Sequence, residues 1–272
     1  MLLRWGTKTA YGLFNALFRP SKFVQTRATL YSKSSQAILK QTFGLLVVWS
    51  INVAIYALPL TITGIGFTSD APAPQVFETL TEPLIRSPDT GWQFTIAFVQ
   101  NSVFLTVATG VVFVSFHAGV LISKRSRGVI QSLHTVIYTT SAYLAGIFAV
   151  VMYLSTAEGL NQTEELIVTL QVNIFQGVLE LMQIGLILPV ETDPGPLIFE
   201  GITQSGAALL AILLLLTLYF LYSMYLGARL NHNMNRIQSL VVVGGVLASP
   251  IAYIAGSAIM TLIVEVYGIQ LL

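Results

Sequence analysis

The side chains able to do chemistry are few. Among 272 residues there are three histidines and no cysteine, so a disulfide framework, a thiolate metal site and a thiol nucleophile are all excluded. His117, His134 and His232 each fall near one end of an apolar stretch, and three imidazoles converging from separate helices could bind a metal. No two of them have the i, i+4 spacing that sets two ligands on one helix face, and no acid stands near to orient them. Separate histidines at the water boundary are therefore the favoured reading. A third reading joins them to Arg229, Asn231, Asn233, Asn235 and Arg236 in a polar rim for lipid phosphates or a cytoplasmic partner. The chain contains no G-x-G-x-x-G, Walker loop, H-E-x-x-H or G-x-S-x-G, so the nucleotide, zinc-protease and hydrolase readings lack a motif. The expectation is a non-enzymatic protein with no catalytic residue, cofactor or metal.

Composition says where these side chains must work. The chain is 54% hydrophobic and 9% charged, with a mean hydropathy of +0.76, against roughly 25% charge in a soluble domain. The lipid bilayer is its solvent. Five charge-free stretches reach the length of about 20 residues that a crossing helix needs: 43–65, 95–122, 129–154, 206–227 and 238–264. The gap at 66–94, with Asp70, Pro72, Pro74, Pro83, Pro88 and Asp89, reads as loop too broken by proline for helix. The gaps SKRSRG at 123–128 and ARLNHNMNRI before the last span are short enough to force two tight helical hairpins.

Residues 165–189 are long enough to cross, but Thr169, Asn173, Gln176, Glu180 and Gln183 recur every four or three residues. That spacing draws one polar stripe along a helix. It is either an amphipathic helix in the interface or a sixth span, and loop charge favours the first. Positive residues stay on the cytoplasmic side. Residues 1–42 carry Arg4, Lys8, Arg19, Lys22, Arg27, Lys33 and Lys40 without an acid; the hairpins carry Lys124, Arg125, Arg127, Arg229 and Arg236. With five spans, twelve of thirteen bases face the cytoplasm, Arg86 being the exception, and all twelve acids face away. The net charge of +1 conceals this segregation and offers nothing to nucleic acid. The expected fold is thus an all-α polytopic membrane bundle of five transmembrane helices, plus an amphipathic interfacial helix between spans three and four. Residues 1–42 form a basic cytoplasmic or interfacial segment and 43–272 the transmembrane domain, with the N-terminus inside and the C-terminus outside.

Trp5, Tyr11, Phe14, Leu17 and Phe18 interleave with Arg4, Lys8 and Arg19, which suits a helix lying on anionic lipid better than a mitochondrial transit peptide. Asn161-Gln162-Thr163 is a glycosylation sequon on the expected outer side. The five cores contain no ionisable group, which argues against proton-coupled pumps. Gly244, Ala248, Ala252 and Gly256 repeat every four residues and offer a close-packing stripe. Packing inside the bundle is expected of it ahead of a subunit interface. Ala142 and Gly146 offer a similar surface, and Pro59 and Pro250 should kink their spans.

Three stretches carry a family resemblance. LFRPSKFVQTRATLYSKSSQAILKQTFGLLVVW places a proline and an aromatic before a polar helix leading into span one. FHAGVLISKRSRGVIQSLHTVIYTTSAYLAGIFAVVMYLS forms a second-to-third hairpin with a tyrosine and small residues early in span three. YFLYSMYLGARLNHNMNRIQSLVVVGGVLASPIAYI ends an aromatic-rich helix in a glycine, a base and a histidine. Together they resemble the Yip1-domain family of five-span membrane proteins, over about 60% of the chain. The long third-to-fourth connection and the wholly basic N-terminus depart from that pattern and point to a prokaryotic-type member without the small-GTPase partners of eukaryotic ones. The resemblance implies a non-enzymatic scaffold or membrane-organising component in a prokaryotic cell membrane. Its partners would be anionic lipids under the basic cytoplasmic collar, with a protein partner or a second copy as a further contact. Two rival expectations are a channel or transporter for a neutral solute or ion, lined by Gln100, Asn101, Ser102 and the stripe, and an accessory subunit of a multi-subunit membrane complex.

Overall fold

In the computed structural model the described residues are 15, 21, 35–62, 72–81, 87–156, 169, 172–173, 176–181 and 204–267. Among them there is no strand. The helices are α1 (Ser35–Ile62), α2 (Gln75–Thr81), α3 (Pro88–Ile122), α4 (Val129–Thr156), α5 (Gln204–Asn231), α6 (Arg236–Leu247) and α7 (Ser249–Tyr267). Five segments are long and apolar enough to cross a bilayer, with α6 and α7 running together as the fifth. Large apolar side chains such as Ile51, Ile55, Val103, Leu214, Leu215 and Leu218 stand exposed along them, an arrangement that water would not tolerate and hydrocarbon solvates. The chain is an all-α, multi-pass membrane protein.

The helices overrun the apolar stretches because a helix ends where its caps lie. Residues 66–94, expected to be loop, hold α2 and the first turns of α3. Pro88 starts a helix here instead of breaking one: it occupies the first turn of α3, after an extended Ser87, where its missing N–H has no partner to lose. Asp89 follows in that turn and accepts a hydrogen bond from the Ala73 N–H at 2.8 Å. Phe77 of α2 meets Trp92 of α3 at 5.1 Å between ring centres. Pro250 lies at the junction of α6 and α7, where helical hydrogen bonding still runs from Ala248 N–H to Gly244 and from Ala252 N–H to Ala248.

The α3–α4 hairpin is the middle of the bundle. α1 packs across both its arms, α5 lies on α4, and α6 lies on α3 and α5. One apolar cluster joins Phe116 and Val120 of α3 to Val136, Met224, Ala228, Val242 and Val246. A second joins Leu45, Trp49, Val53 and Ala57 of α1 to Leu105 and Ile137. Polar ties stitch the same faces. Asn101 donates to Thr61 Oγ1 at 3.0 Å, Asn52 donates to Ser141 Oγ at 2.7 Å, and the Tyr56 hydroxyl donates to the Ser141 carbonyl at 3.0 Å. Such bonds between helices in a membrane average about 0.6 kcal/mol.

The close-packing glycines lie elsewhere than the sequence stripe suggested. Gly244, Ala248, Ala252 and Gly256 are all exposed, and nothing stands within 4 Å of a Cβ added at Gly244 or Gly256. The stripe therefore does not pack the bundle internally. The buried face of the last span runs through Val242, Val246 and Ser249, about one residue round the helix. There a Cβ at Gly245 would come within 3.1 Å of the Ser115 carbonyl, and one at Gly119 within 2.9 Å of the Val242 Cα. A Cβ at Gly227 would collide with the side chain of Thr135, which is buried and hydrogen-bonded on both sides. Gly146 is likewise turned inward, against Leu216. Overpacking typically costs about 1–3 kcal/mol. Gly227→Ala is therefore expected to lower the unfolding temperature of the detergent-solubilised protein by several degrees, whereas Gly244→Ala leaves it within error; equal losses would contradict this packing.

Candidate functional site

The ends of α3 and α5 and the starts of α4 and α6 meet at one end of the bundle, because both hairpins turn there. Each loop is kept short by one residue in the left-handed region, Lys124 at φ 52° and Asn233 at φ 53°. After α3 the Lys124 N–H bonds to the Leu121 carbonyl and the Arg125 N–H to the Val120 carbonyl, the pairing of a Schellman stop. Glycine is the easy residue there and lysine is not. On the other loop, Asn235 and Gln238 cap α6 reciprocally, Gln238 N–H to Asn235 Oδ1 at 2.9 Å and Asn235 N–H to Gln238 Oε1 at 3.1 Å. The Gln238 amide then reaches across to the Ser123 carbonyl at 3.3 Å. One loop thereby holds the other.

Between them lies a chain of polar groups. The Arg127 N–H donates to His232 Nδ1 at 3.2 Å, His232 Nε2 lies 3.1 Å from Ser132 Oγ, and Ser132 Oγ lies 2.9 Å from His117 Nδ1. The donors fix the tautomers. Because His232 Nδ1 accepts from an amide, its proton is on Nε2, which donates to Ser132; the Ser132 hydroxyl is then free to donate to His117 Nδ1. Ser132 is fully buried and His232 is 1% exposed. Phe113 stacks on His117 with ring centres 5.9 Å apart, and Phe116 lies against His232 at 6.1 Å. Burial first, then the nearby His117 and Arg127, lower the His232 pKa from 6.5 to about 4. At neutral pH this ring is uncharged. One turn further along α4, Asn231 donates to Thr135 Oγ1 at 2.7 Å.

A serine bonded to a histidine is the beginning of an activated nucleophile, but a fully buried Ser132 Oγ, held by two rings, has no approach for a carbonyl. The arrangement is a join between hairpins. It pairs two of the three histidines that the sequence suggested were separate. His134, on α4, is instead buried beside Tyr138 at 4.5 Å. Among the described residues no group of three His, Asp or Glu side chains could hold a metal. The sequence reading also placed His232 among the contacts to anionic lipid. That is corrected, since a ring 1% exposed and used at both nitrogens cannot meet a headgroup.

The rest of that set is disposed as a collar. Lys124, Arg125, Arg127, Arg229 and Arg236 are all exposed around the join, with the Arg229 guanidinium 5.8 Å from the centre of the Tyr225 ring. Neither hairpin carries a carboxylate near these loops; Glu78 and Asp89 belong to α2 and the first turn of α3, at the other end. Arg4, Lys8, Arg19 and Lys22 lie outside the described residues, as does Gln183. Of the polar stripe, Thr169, Asn173 and Gln176 are half-buried and helical, and Glu180 is exposed. Of the residues suggested to line a solute route, Asn101 is tied to Thr61, Ser102 donates to the Phe98 carbonyl at 2.8 Å, and Gln100 is exposed. The sequence reading missed Ser132, Thr135 and Gln238. The signal was there in their positions, within a turn or two of loops that must lie side by side.

Comparison with protein-family models, with curated proteins and with solved structures finds no match. Removing the shared hydroxyl leaves the buried His232 Nε2 unpaired, at a cost of about 1–3 kcal/mol, and frees the half-buried His117 Nδ1 as well. Ser132→Ala is thus expected to lower the unfolding temperature in detergent well below that of Ser126→Ala, on the exposed loop. A Ser132→Ala protein as stable as wild type would show that the chain of bonds contributes nothing.

Proposed function

We propose that this protein is a non-enzymatic membrane-organising scaffold of the Yip1 kind, whose basic collar lies on the anionic cytoplasmic leaflet of a prokaryotic cell membrane. The observation that carries the reading is the ring of five exposed bases around a locked pair of hairpins that carry no carboxylate near their turns. Each Lys or Arg held near an anionic surface is worth about 1 kcal/mol, so a ring of five gives a strong preference for one lipid charge. Locking the loops matters because fixed bases lose less freedom on meeting headgroups. The lysine in the left-handed position of the α3 stop supports the same reading, since a charge is kept where glycine would be less strained. The N-terminal segment, with seven further bases and no acid, adds to the positive field on this side. The oppositely charged face, carrying Glu78 and Asp89, then looks outward toward a protein partner.

Two measurements test this. In the full-length protein, retention of phosphatidylglycerol over phosphatidylcholine, read by native mass spectrometry from mixed-lipid nanodiscs, is expected to fall at least tenfold when Lys124, Arg125, Arg127, Arg229 and Arg236 are all changed to Gln. Equal retention of both lipids by the wild type would sink the lipid reading. The cysteine-free chain also allows topology to be read directly. A thiol at Lys124→Cys should resist an impermeant maleimide added to intact cells, and one at Glu78→Cys should react; the reverse pattern would overturn the orientation.

A further inference from the structure

The join between the hairpins has a chemical weakness that its geometry makes specific. His232 accepts at Nδ1 from the Arg127 N–H and donates from Nε2 to Ser132, which requires the neutral ring. A second proton has one place to go, Nδ1, and there it would face the amide hydrogen it now accepts. The bond holding one loop to the other would be replaced by two opposed N–H groups. No counter-charge is at hand. The titratable and charged groups around the ring are His117 of α3, Lys124, Arg125 and Arg127 of the first loop, Arg229 of α5 and Arg236 of α6, and α4 presents Ser132 and Gln131. All the charged ones are bases.

We propose that His232, with Ser132 and His117, is an acid-operated latch between the α3–α4 and α5–α6 hairpins, closed while the His232 ring is neutral and opened when it takes a proton. Opening frees the two loops to separate and spreads the collar of bases. The direction of the effect follows from linkage. The ring binds its proton less readily in the closed protein, about pH 4, than in an open one, near 6.5, so the closed state is fully favoured above pH 6.5 and loses ground as pH falls toward 4. The latch stands on the hydrogen-bond geometry and not on the lipid reading, and it is tested by distance rather than by binding.

The experiment places spin labels at Ser126→Cys on the first loop and Ile237→Cys in the first turn of α6, both exposed, in the otherwise cysteine-free full chain in nanodiscs. A single short distance is expected at pH 7.5. By pH 4.5 more than half of that population should move to longer, broader distances and return on neutralisation. His232→Asn keeps an acceptor where Nδ1 stands and cannot take the proton, so its distances should not respond to pH. A distribution unchanged at pH 4.5, or a response that His232→Asn retains, would overturn the latch. A second measurement needs no substitution at the histidine. In the wild type the Arg127 amide should lose hydrogen-exchange protection on acidification while the Gln238 amide, capped by Asn235, keeps it. Parallel behaviour of the two amides would count equally against the proposal.

Discussion

The hydroxyl of Ser132 is shared by two imidazoles that belong to different hairpins, and the geometry of the basic end follows from that sharing. A serine has one proton to give and room to accept. With His232 donating to it, its own proton is left for His117, so the backbone amide of Arg127 sets the direction of the bonds through His232. The loops are placed accordingly. The Gln238 amide completes the join from the other side, on the Ser123 carbonyl, so the turn after α3 is held at both of its ends.

Deeper in the bundle the same demand for partners is met locally. Thr61, Thr95, Ser102, Thr106, Thr109, Thr135, Ser141 and Thr217 each return their hydroxyl to a carbonyl one turn back, at 2.7–3.0 Å. A hydroxyl so bonded can sit in hydrocarbon without a water. Only some of these also serve a neighbour. Thr61, Thr135 and Ser141 each receive a second bond from an asparagine on another helix, and those three mark where α1 meets α3, α4 meets α5 and α1 meets α4. The polar residues that bond twice are therefore seams between helices.

The spans, the two tight hairpins and the gathering of bases at one end were legible from apolar length and loop charge, because the bilayer imposes both on the sequence directly. What failed was the choice of face. Gly244 and Gly245 are adjacent, and spacing alone favoured the first, with Ala248, Ala252 and Gly256 behind it; Ser115 of α3 decides for the second, and a helix cannot announce its neighbour. The prolines misled for a related reason. Pro88 has one meaning inside a helix and another at its first turn, and the difference is set by Ser87 and Asp89 around it. The histidine pair was hidden because His117 and His232 are 115 residues apart in the chain, joined by a serine that no motif singles out. The hairpin turns, both short and both on one side, held the information that spacing between histidines did not.

The length of α3 has a mechanical consequence. Its 35 residues span roughly 52 Å at 1.5 Å per residue, whereas a helix tilted by about 20° crosses the hydrocarbon in roughly 21 residues. The end after Ile122 is pinned to the neighbouring loop, and the excess of about four turns gives the helix room to tilt or to extend at its first turns. There it carries α2 with it, clamped by Asp89 on the Ala73 amide and by Trp92 on Phe77. The central helix thus works as a strut, rooted in the basic end and carrying Glu78 and Asp89 at the other, at a separation set by helix length.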